Sequence, residues 1–302
     1  MTKENITEFG SIIFETHCSN NCLFCGGVKT LSKGEKKRQE ETALCSLDYF
    51  KLKKFQSVDI SGGDPIEYEG LVSFVRKVRQ GNFSTIQLST HGMGLAENNL
   101  CQKLISAGIN KFRIPLYGSN ASIHDAVTRN PGSFDKTLAG IKEVIKSKVD
   151  LQISTLITKQ NCLDLMELLH LIEKLKVDDF YIGTPCIANN DFSFYIPFKD
   201  LNKYLNKSYK YIVENDKAFH FLDIPFCVFG KTNFSIIRFA EPPSLGKRKV
   251  DRYEVISGVP FYRIQTKLPF CLKCKMNDVC PGFFKVDIDR FGPGKLKPLN
   301  YS

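Results

Sequence analysis

Six short apolar runs alternate with helix-patterned stretches over the first two-thirds of the 302-residue chain, and this constrains its fold more than any other feature. The runs are residues 11–16, 57–61, 85–89, 111–116, 151–157 and 179–183. Between them, residues 71–79, 100–107, 134–146 and 163–175 carry apolar side chains at helical spacing. In 134–146 the expected buried stripe is Phe134, Leu138, Ile141 and Ile145, with Ser133 as N-cap. Strands that alternate with helices pair in parallel through right-handed crossovers. Six such units fall short of a closed eight-stranded barrel. The expected fold class is therefore α/β, an open partial (βα)6 barrel. After Gly183 the alternation stops, with one more helix at 200–214 and a strand at 219–223. Beyond Cys227, strand-like runs at 235–239, 253–256 and 262–265 are broken by Pro- and Gly-containing turns, and a dense Cys/Gly/Pro tail follows. The expected boundary lies near residue 220, giving a core at 1–220 and a small cysteine-rich domain at 221–302.

The chain is 42% hydrophobic and 25% charged, as ordinary globular proteins are. It has no apolar run near the roughly 20 residues that span a bilayer. Its polar N-terminus, MTKENITEFG, lacks a signal-peptide core. A cytoplasmic protein is expected. It has 11 cysteines, an odd number. In a reducing compartment they point to metal binding or catalysis rather than disulfides. Cys45, Cys101, Cys162 and Cys186 are scattered and read as small buried hydrophobes. The formal charge is +10, with basic stretches at 33–38 and 246–252. These read as solvated loops; the sharper alternative is attraction to an acidic partner such as nucleic acid, a phosphorylated metabolite or an acidic peptide. No nucleic-acid-binding signature, Ser–His–Asp order, P-loop or dinucleotide fingerprint accompanies the charge. His170, alone on a helix, reads as a surface or satisfied core residue.

Cys18-Ser-Asn-Asn-Cys22-Leu-Phe-Cys25 directly follows the first strand. Ligands of open α/β sheets gather outside the carboxyl ends of strands, so this loop is well placed for a cofactor. Three thiolates this close can wrap one corner of a [4Fe–4S] cubane, which ordinarily takes four cysteines. With no fourth nearby, one iron stays open to an exogenous ligand. A structural zinc site would want four protein ligands, and only His17 stands near as a further donor.

The motif, with an aromatic before its last cysteine, resembles that of the radical S-adenosylmethionine (SAM) superfamily. Ser61-Gly62-Gly63-Asp64-Pro65 is similar to that family's Gly-Gly-Glu-Pro motif, with a shorter carboxylate. Ser89-Thr90-His91-Gly92 stands where the family often has Thr-Asn-Gly. Leu116-Tyr117-Gly118, His124-Asp125, Arg129 and Gly132-Ser133-Phe134 resemble the peptide- and cofactor-modifying branch, with Pro115 at a position often held by serine. The resemblance implies that Cys18, Cys22 and Cys25 hold a [4Fe–4S] cluster whose open iron chelates SAM. One electron, from a reductant such as flavodoxin or ferredoxin, would cleave the sulfonium to methionine and a 5′-deoxyadenosyl radical that abstracts a substrate hydrogen. Phe24 would pack on the adenine. Gly62 and Gly63 would let backbone approach SAM, although alone they read as a tight turn. Asp64 and Ser89 belong to the same implied site, with His91 a candidate for ribose contact. Arg129 is a candidate for the SAM carboxylate, or an ordinary surface arginine.

Cys271, Cys274 and Cys280, with the distant Cys227, make a complete set of four thiolates. Residues 283–298, including Phe291-Gly292, resemble the shortened SPASM domain called twitch. That implies an auxiliary [4Fe–4S] cluster, with a zinc knot on the same cysteines as the alternative. Cys186, after the sixth strand, is the alternative fourth ligand. An auxiliary cluster able to accept an electron from a substrate radical favours net oxidation of a peptide or small polar metabolite. The alternatives are modification of a nucleotide or RNA base, and a non-catalytic iron–sulfur electron carrier or redox sensor. Only 17 residues precede Cys18, so no leader-peptide-binding domain is expected there.

Overall fold

In the computed structural model, the residues described are 9–14, 17–25, 33–185, 191–214, 219–230, 238–239, 265–278 and 280–299. One curled parallel sheet organises the chain. Its strands are β1 (Phe9–Phe14), β2 (Ser57–Gly62), β3 (Thr85–Ser89), β4 (Lys111–Pro115), β5 (Asp150–Leu156), β6 (Asp179–Gly183), β7 (Phe219–Leu222) and the two-residue β8 (Arg238–Phe239). They lie side by side in chain order, each parallel to the next. The partial barrel expected from the sequence is present. It is wider than six strands, because α7 (Phe198–Glu214) is a further crossover that brings β7 beside β6.

The other crossover helices are α1 (Lys33–Leu52), α2 (Leu71–Arg79), α3 (Leu100–Ala107), α4 (Ala121–Thr128), α5 (Ser133–Ser147) and α6 (Leu165–Lys174). The basic stretch 33–38 therefore begins a helix, where a loop was expected. The run 246–252 and the expected strand at 253–256 lie outside the described residues, as do parts of the runs 235–239 and 262–265. On α5 the fully buried stripe is Phe134, Thr137, Gly140, Ile141 and Val144, while Leu138 and Ile145 are only partly buried. Tight packing explains the rotation: a Cβ on Gly140 would stand 2.1 Å from the Gly92 carbonyl oxygen. Ser133 is not the N-cap. Gly132 occupies that position in a left-handed conformation, and the Asp125 carboxylate accepts from the Gly132 and Phe134 amides at 2.7 and 2.8 Å.

Strand alternation sorts the two sheet faces. Val58, Ile60, Leu88, Phe112, Ile114, Ile153, Phe180 and Ile182 join the buried apolar core with the helices. Most of their neighbours of opposite parity are polar, and hydrogen bonds link several of these across strands. Asp59 accepts from Gln87 and Ser89 at 2.8 and 2.7 Å, and Gln152 accepts from Arg113 at 2.7 Å. Parallel strands covered on both faces read as continuous apolar runs. These strands bury apolar side chains on one face only.

The C-terminal part holds a short antiparallel pair, β9 (Gln265–Thr266) and β10 (Phe283–Phe284), followed by α8 (Lys285–Phe291). It packs on the start of α7: Phe198 meets Phe283 and Phe284 at ring separations of 5.9 and 5.5 Å, and the Phe198 amide donates to the Asp287 carboxylate at 3.2 Å. Asp287 is fully buried, and burial pushes its pKa up to about 6. Between the ordinary carboxylate value and about pH 6, the folded chain binds the proton more tightly than the unfolded one. Stability is therefore expected to fall as pH rises through that window. Asp287→Asn keeps an acceptor for Phe198 without the charge. It is expected to stabilise the apoprotein by about 1–2 kcal/mol at pH 8, with the gain gone below about pH 4. Urea midpoints at the two pH values check this, and equal shifts at both would refute it.

Candidate functional site

Leaving β1, the chain carries Cys18, Cys22 and Cys25 in an irregular loop whose shape is set from far along the sequence. The Asn21 amide donates to the Thr128 carbonyl at 2.9 Å and the Leu23 amide to Val127 at 3.0 Å. Those carbonyls end α4, where no following in-helix amide can take them. Asn130 adds side-chain bonds to the Ser19 carbonyl and Asn20 Oδ1, at 3.1 and 2.9 Å. The Cys25 amide closes a turn onto the Cys22 carbonyl at 3.0 Å. Burial, with the neighbouring Cys25 and Cys18, pushes Cys22 up to about 12. A thiol held this way becomes a thiolate only against positive charge.

The ends of β2 and β3 brace this loop from the other side. Gly62 takes φ +141, and the Gly63 amide donates to the Phe14 carbonyl at 2.9 Å. Asp64 is fully buried. Its carboxylate accepts from the Thr90 hydroxyl at 2.6 Å, the His91 amide at 2.7 Å and the Ile66 amide at 3.1 Å. The His91 ring is buried too, with Nε2 2.9 Å from Asp64 and 3.1 Å from Glu67. Its Nδ1 accepts from the Met93 amide at 3.2 Å, so the neutral ring carries its hydrogen on Nε2. Burial opposes charging of this ring, and hydrogen bonds to Asp64, Cys18 and Glu67 raise its proton affinity. Glu67 also accepts from His17 Nδ1 at 2.6 Å and from the Ser19 amide and hydroxyl at 2.8 and 2.7 Å. Burial works to raise the Glu67 carboxyl, but hydrogen bonds from His91, Ser19 and His17 hold it at about 2. A cavity of about 550 Å³ opens beside this network, lined by Ser19, Glu67, His91, Met93, Asn130 and Lys136 among others.

Phe24 lies edge-on to Tyr117 at 5.4 Å, and Tyr117 tilts against the buried His124 at 5.7 Å. The Tyr117 amide donates to His124 Nδ1 at 3.1 Å. Burial lowers the His124 pKa to about 4, which leaves that nitrogen free to accept. Ser89 stands on the polar sheet face, its hydroxyl on Asp59. Arg129 is exposed at the C-cap of α4, with φ +53. The structure thus brings Cys18, Cys22, Cys25, Phe24, Gly62 and Asp64 to the ends of β1, β2 and α4. It turns the Asp64 and His91 side chains into the protein.

The second cysteine group assembles from three short segments. Cys227, Cys271, Cys274 and Cys280 line one cavity together with Phe226, Phe270 and Phe283. The Leu268 and Leu299 amides each approach a sulfur at 3.4 Å, Cys271 and Cys274 respectively. Lys267 ties the loop by donating to the Asn277 and Cys280 carbonyls at 2.7 and 2.6 Å. Burial and the other three sulfurs push Cys227 up to about 12. Cys186 lies outside the described residues. Among the described residues, no three His, Cys, Asp or Glu side chains are drawn together as a single metal ion would hold them. Sulfurs around a cubane stand farther apart, each on its own iron.

Sequence reasoning did not identify Asn130, Thr128 or Glu67, which shape the cysteine loop. It also missed the polar inner wall of the sheet, although alternation in Ser-Val-Asp-Ile-Ser and Lys-Phe-Arg-Ile-Pro signals that wall. Among the described residues, no helix is long and apolar enough to cross a membrane.

A family description, the radical SAM superfamily, matches residues 12–172, more than half of the chain. The chain is 26% identical over 165 residues to an AdoMet-dependent heme synthase of Methanosarcina barkeri, covering 55% of this chain and 47% of that protein. It is 25% identical over 175 residues to a probable GTP 3′,8-cyclase of Saccharolobus islandicus, covering 55% of this chain and 54% of that one. It thus spans about half the length of these curated relatives. Streptococcus suis SuiB bound to S-adenosylmethionine superposes with a TM-score of 0.62 at 15% identity, over 95% of this chain and 76% of that one. The protein anSMEcpe with bound AdoMet gives 0.55 at 14% identity, over 68% and 61%. At such identities the likeness is one of fold.

Proposed function

Because this chain belongs to the radical SAM superfamily, we propose that it cleaves SAM at a [4Fe–4S] site held by Cys18, Cys22 and Cys25 and directs the resulting radical at a polar substrate. The observation that carries this reading is the three-cysteine loop itself, fixed by α4 carbonyls at the ends of β1 and β2. When bound, the cluster and SAM supply one electron and a sulfonium whose cleavage yields 5′-deoxyadenosine chemistry. The remaining work belongs to the chain. The cysteines leave one iron position open, and Phe24 with Tyr117 offers an apolar wall to the adenine. Gly62 presents backbone at the exposed end of β2, with Gly63 beside it. Ser89 and Arg129 are further SAM contacts in this reading. Asp64 and His91 act as positioning residues for these loops. The electron enters from a reduced flavodoxin or ferredoxin.

The core at 1–220 is joined in this reading by a twitch-like domain at 221–302 that holds an auxiliary [4Fe–4S] cluster on Cys227, Cys271, Cys274 and Cys280. Four sulfurs around one apolar-lined cavity, Cys271 buried and the others partly buried, two of them met by backbone amides, support it. Such a cluster accepts an electron from a substrate radical, which favours net oxidation of a peptide or small polar metabolite. A second reading, modification of a nucleotide, draws on the likeness to GTP cyclases and the +10 charge.

Anaerobically reconstituted protein is expected to hold about eight irons per chain and, once reduced, to convert SAM to 5′-deoxyadenosine. S-adenosylhomocysteine as main product would overturn the SAM-cleavage reading. Four irons and one zinc would overturn only the auxiliary cluster.

A further inference from the structure

On the polar inner wall of the barrel stands a cation, Arg113, that no carboxylate among the described residues pairs with. On β6, Asp179 is taken by Lys111 at 3.0 Å and by the Gln152 amide at 2.9 Å. Arg113, on β4, is fastened instead at its Nε, which donates to Gln152 Oε1 at 2.7 Å. Its guanidinium carbon lies 5.6 Å from the Tyr181 ring centre. These two contacts fix the plane of the guanidinium and use one of its five donors. Among the described residues no carboxylate pairs with it, and its two Nη groups have no acceptor. Arg113 is only partly exposed and stands in register with Ser89, directly before the site loop that begins at Thr90. A half-buried cation with an oriented, unfilled fork suits bidentate binding of an oxyanion.

We propose that Arg113 is the substrate-recognition residue of the barrel interior, and that its ligand is an anionic group, a carboxylate or phosphate, carried by the substrate. The inference rests on the reading that substrate meets the radical inside the barrel. Gln152 and Tyr181 are positioning residues, holding the fork so that little rotamer freedom is lost on binding.

The test is calorimetric titration of the reconstituted, SAM-loaded protein with inorganic phosphate and, separately, with acetate at constant ionic strength. At least one anion is expected to bind, and Arg113→Gln to weaken it at least tenfold. Lys146→Gln, on the exposed face of α5, controls for general charge. Tighter binding of phosphate marks a phosphorylated substrate; tighter binding of acetate marks a carboxylate. If Arg113→Gln does not fold, Arg113→Lys keeps the charge without the fork and is expected to weaken binding at least threefold. Unchanged anion affinity in the folded variant would overturn the proposal. So would a parallel loss of SAM affinity, which would make Arg113 a partner of the SAM carboxylate. Because the titration needs no turnover, failure to form 5′-deoxyadenosine would count against the proposed function and leave this result standing.

Discussion

Cys22→Ala is expected to abolish SAM cleavage, by at least about a thousandfold, or about 4 kcal/mol of lost activation, while leaving the fold intact. The two outcomes separate because different atoms carry them. The loop is held by main-chain groups: the Asn21 and Leu23 amides on the Thr128 and Val127 carbonyls, and the Cys25 amide on the Cys22 carbonyl. None of these bonds uses the Cys22 sulfur. The variant therefore keeps its loop, and its unfolding free energy by urea should lie within about 1 kcal/mol of that of the apo wild type, the usual cost of truncating one partly buried side chain. What it loses is one of three irons' ligands in a site with no spare thiol nearby. Replacing Cys274 and Cys280 together makes the counterpart: 5′-deoxyadenosine should still form, at least in part, while iron falls by about half. Wild-type cleavage by folded Cys22→Ala would remove these three cysteines from the catalytic assignment.

What the sequence disclosed depended on how local each signal is. Strands β2 to β6 are legible because each is a short apolar run between helix-patterned stretches, and the structure moves their ends by a residue or less. Helix α1 was not legible: its start, Lys-Gly-Glu-Lys-Lys-Arg, has no apolar stripe, and the packing of Ala43, Leu47 and Phe50 on β1 is tertiary. Helix α4 is too short for its periodicity to stand out, yet its last carbonyls shape the cysteine loop. The cap of α5 was assigned to Ser133 by residue type, whereas the capping group is Asp125, reaching across from α4. The three-cysteine motif could be read because its members are sequence neighbours. The gathering of Cys227 with Cys271, Cys274 and Cys280 depends on how α7, β7 and the C-terminal segment pack. The Arg113–Gln152–Asp179 chain spans three strands and emerges only when their register is known.

Gly62→Ala is expected to destabilise the apoprotein by about 3–5 kcal/mol, much more than its loss of backbone freedom accounts for. Gly62 closes the β1–β2 ladder opposite Phe14, at φ +141. A Cβ there would stand 1.8 Å from the Phe14 carbonyl oxygen and 2.7 Å from the Phe14 nitrogen. The obstacle is backbone in the sheet, so no side-chain rotation relieves it. The strands must part at the point where the Gly63 amide also bonds that same carbonyl. Gly132→Ala supplies the comparison. It too has positive φ, +82, but nothing lies within 4 Å of its Cβ position. Its cost is backbone strain alone, about 1–2 kcal/mol. Urea denaturation of the two apo variants reads the difference directly. Equal destabilisation would mean that positive φ, not the approach of β1, demands glycine at 62. A larger loss at Gly62, with iron retention falling in the same variant, would tie the close approach of β1 and β2 to the support of the cysteine loop.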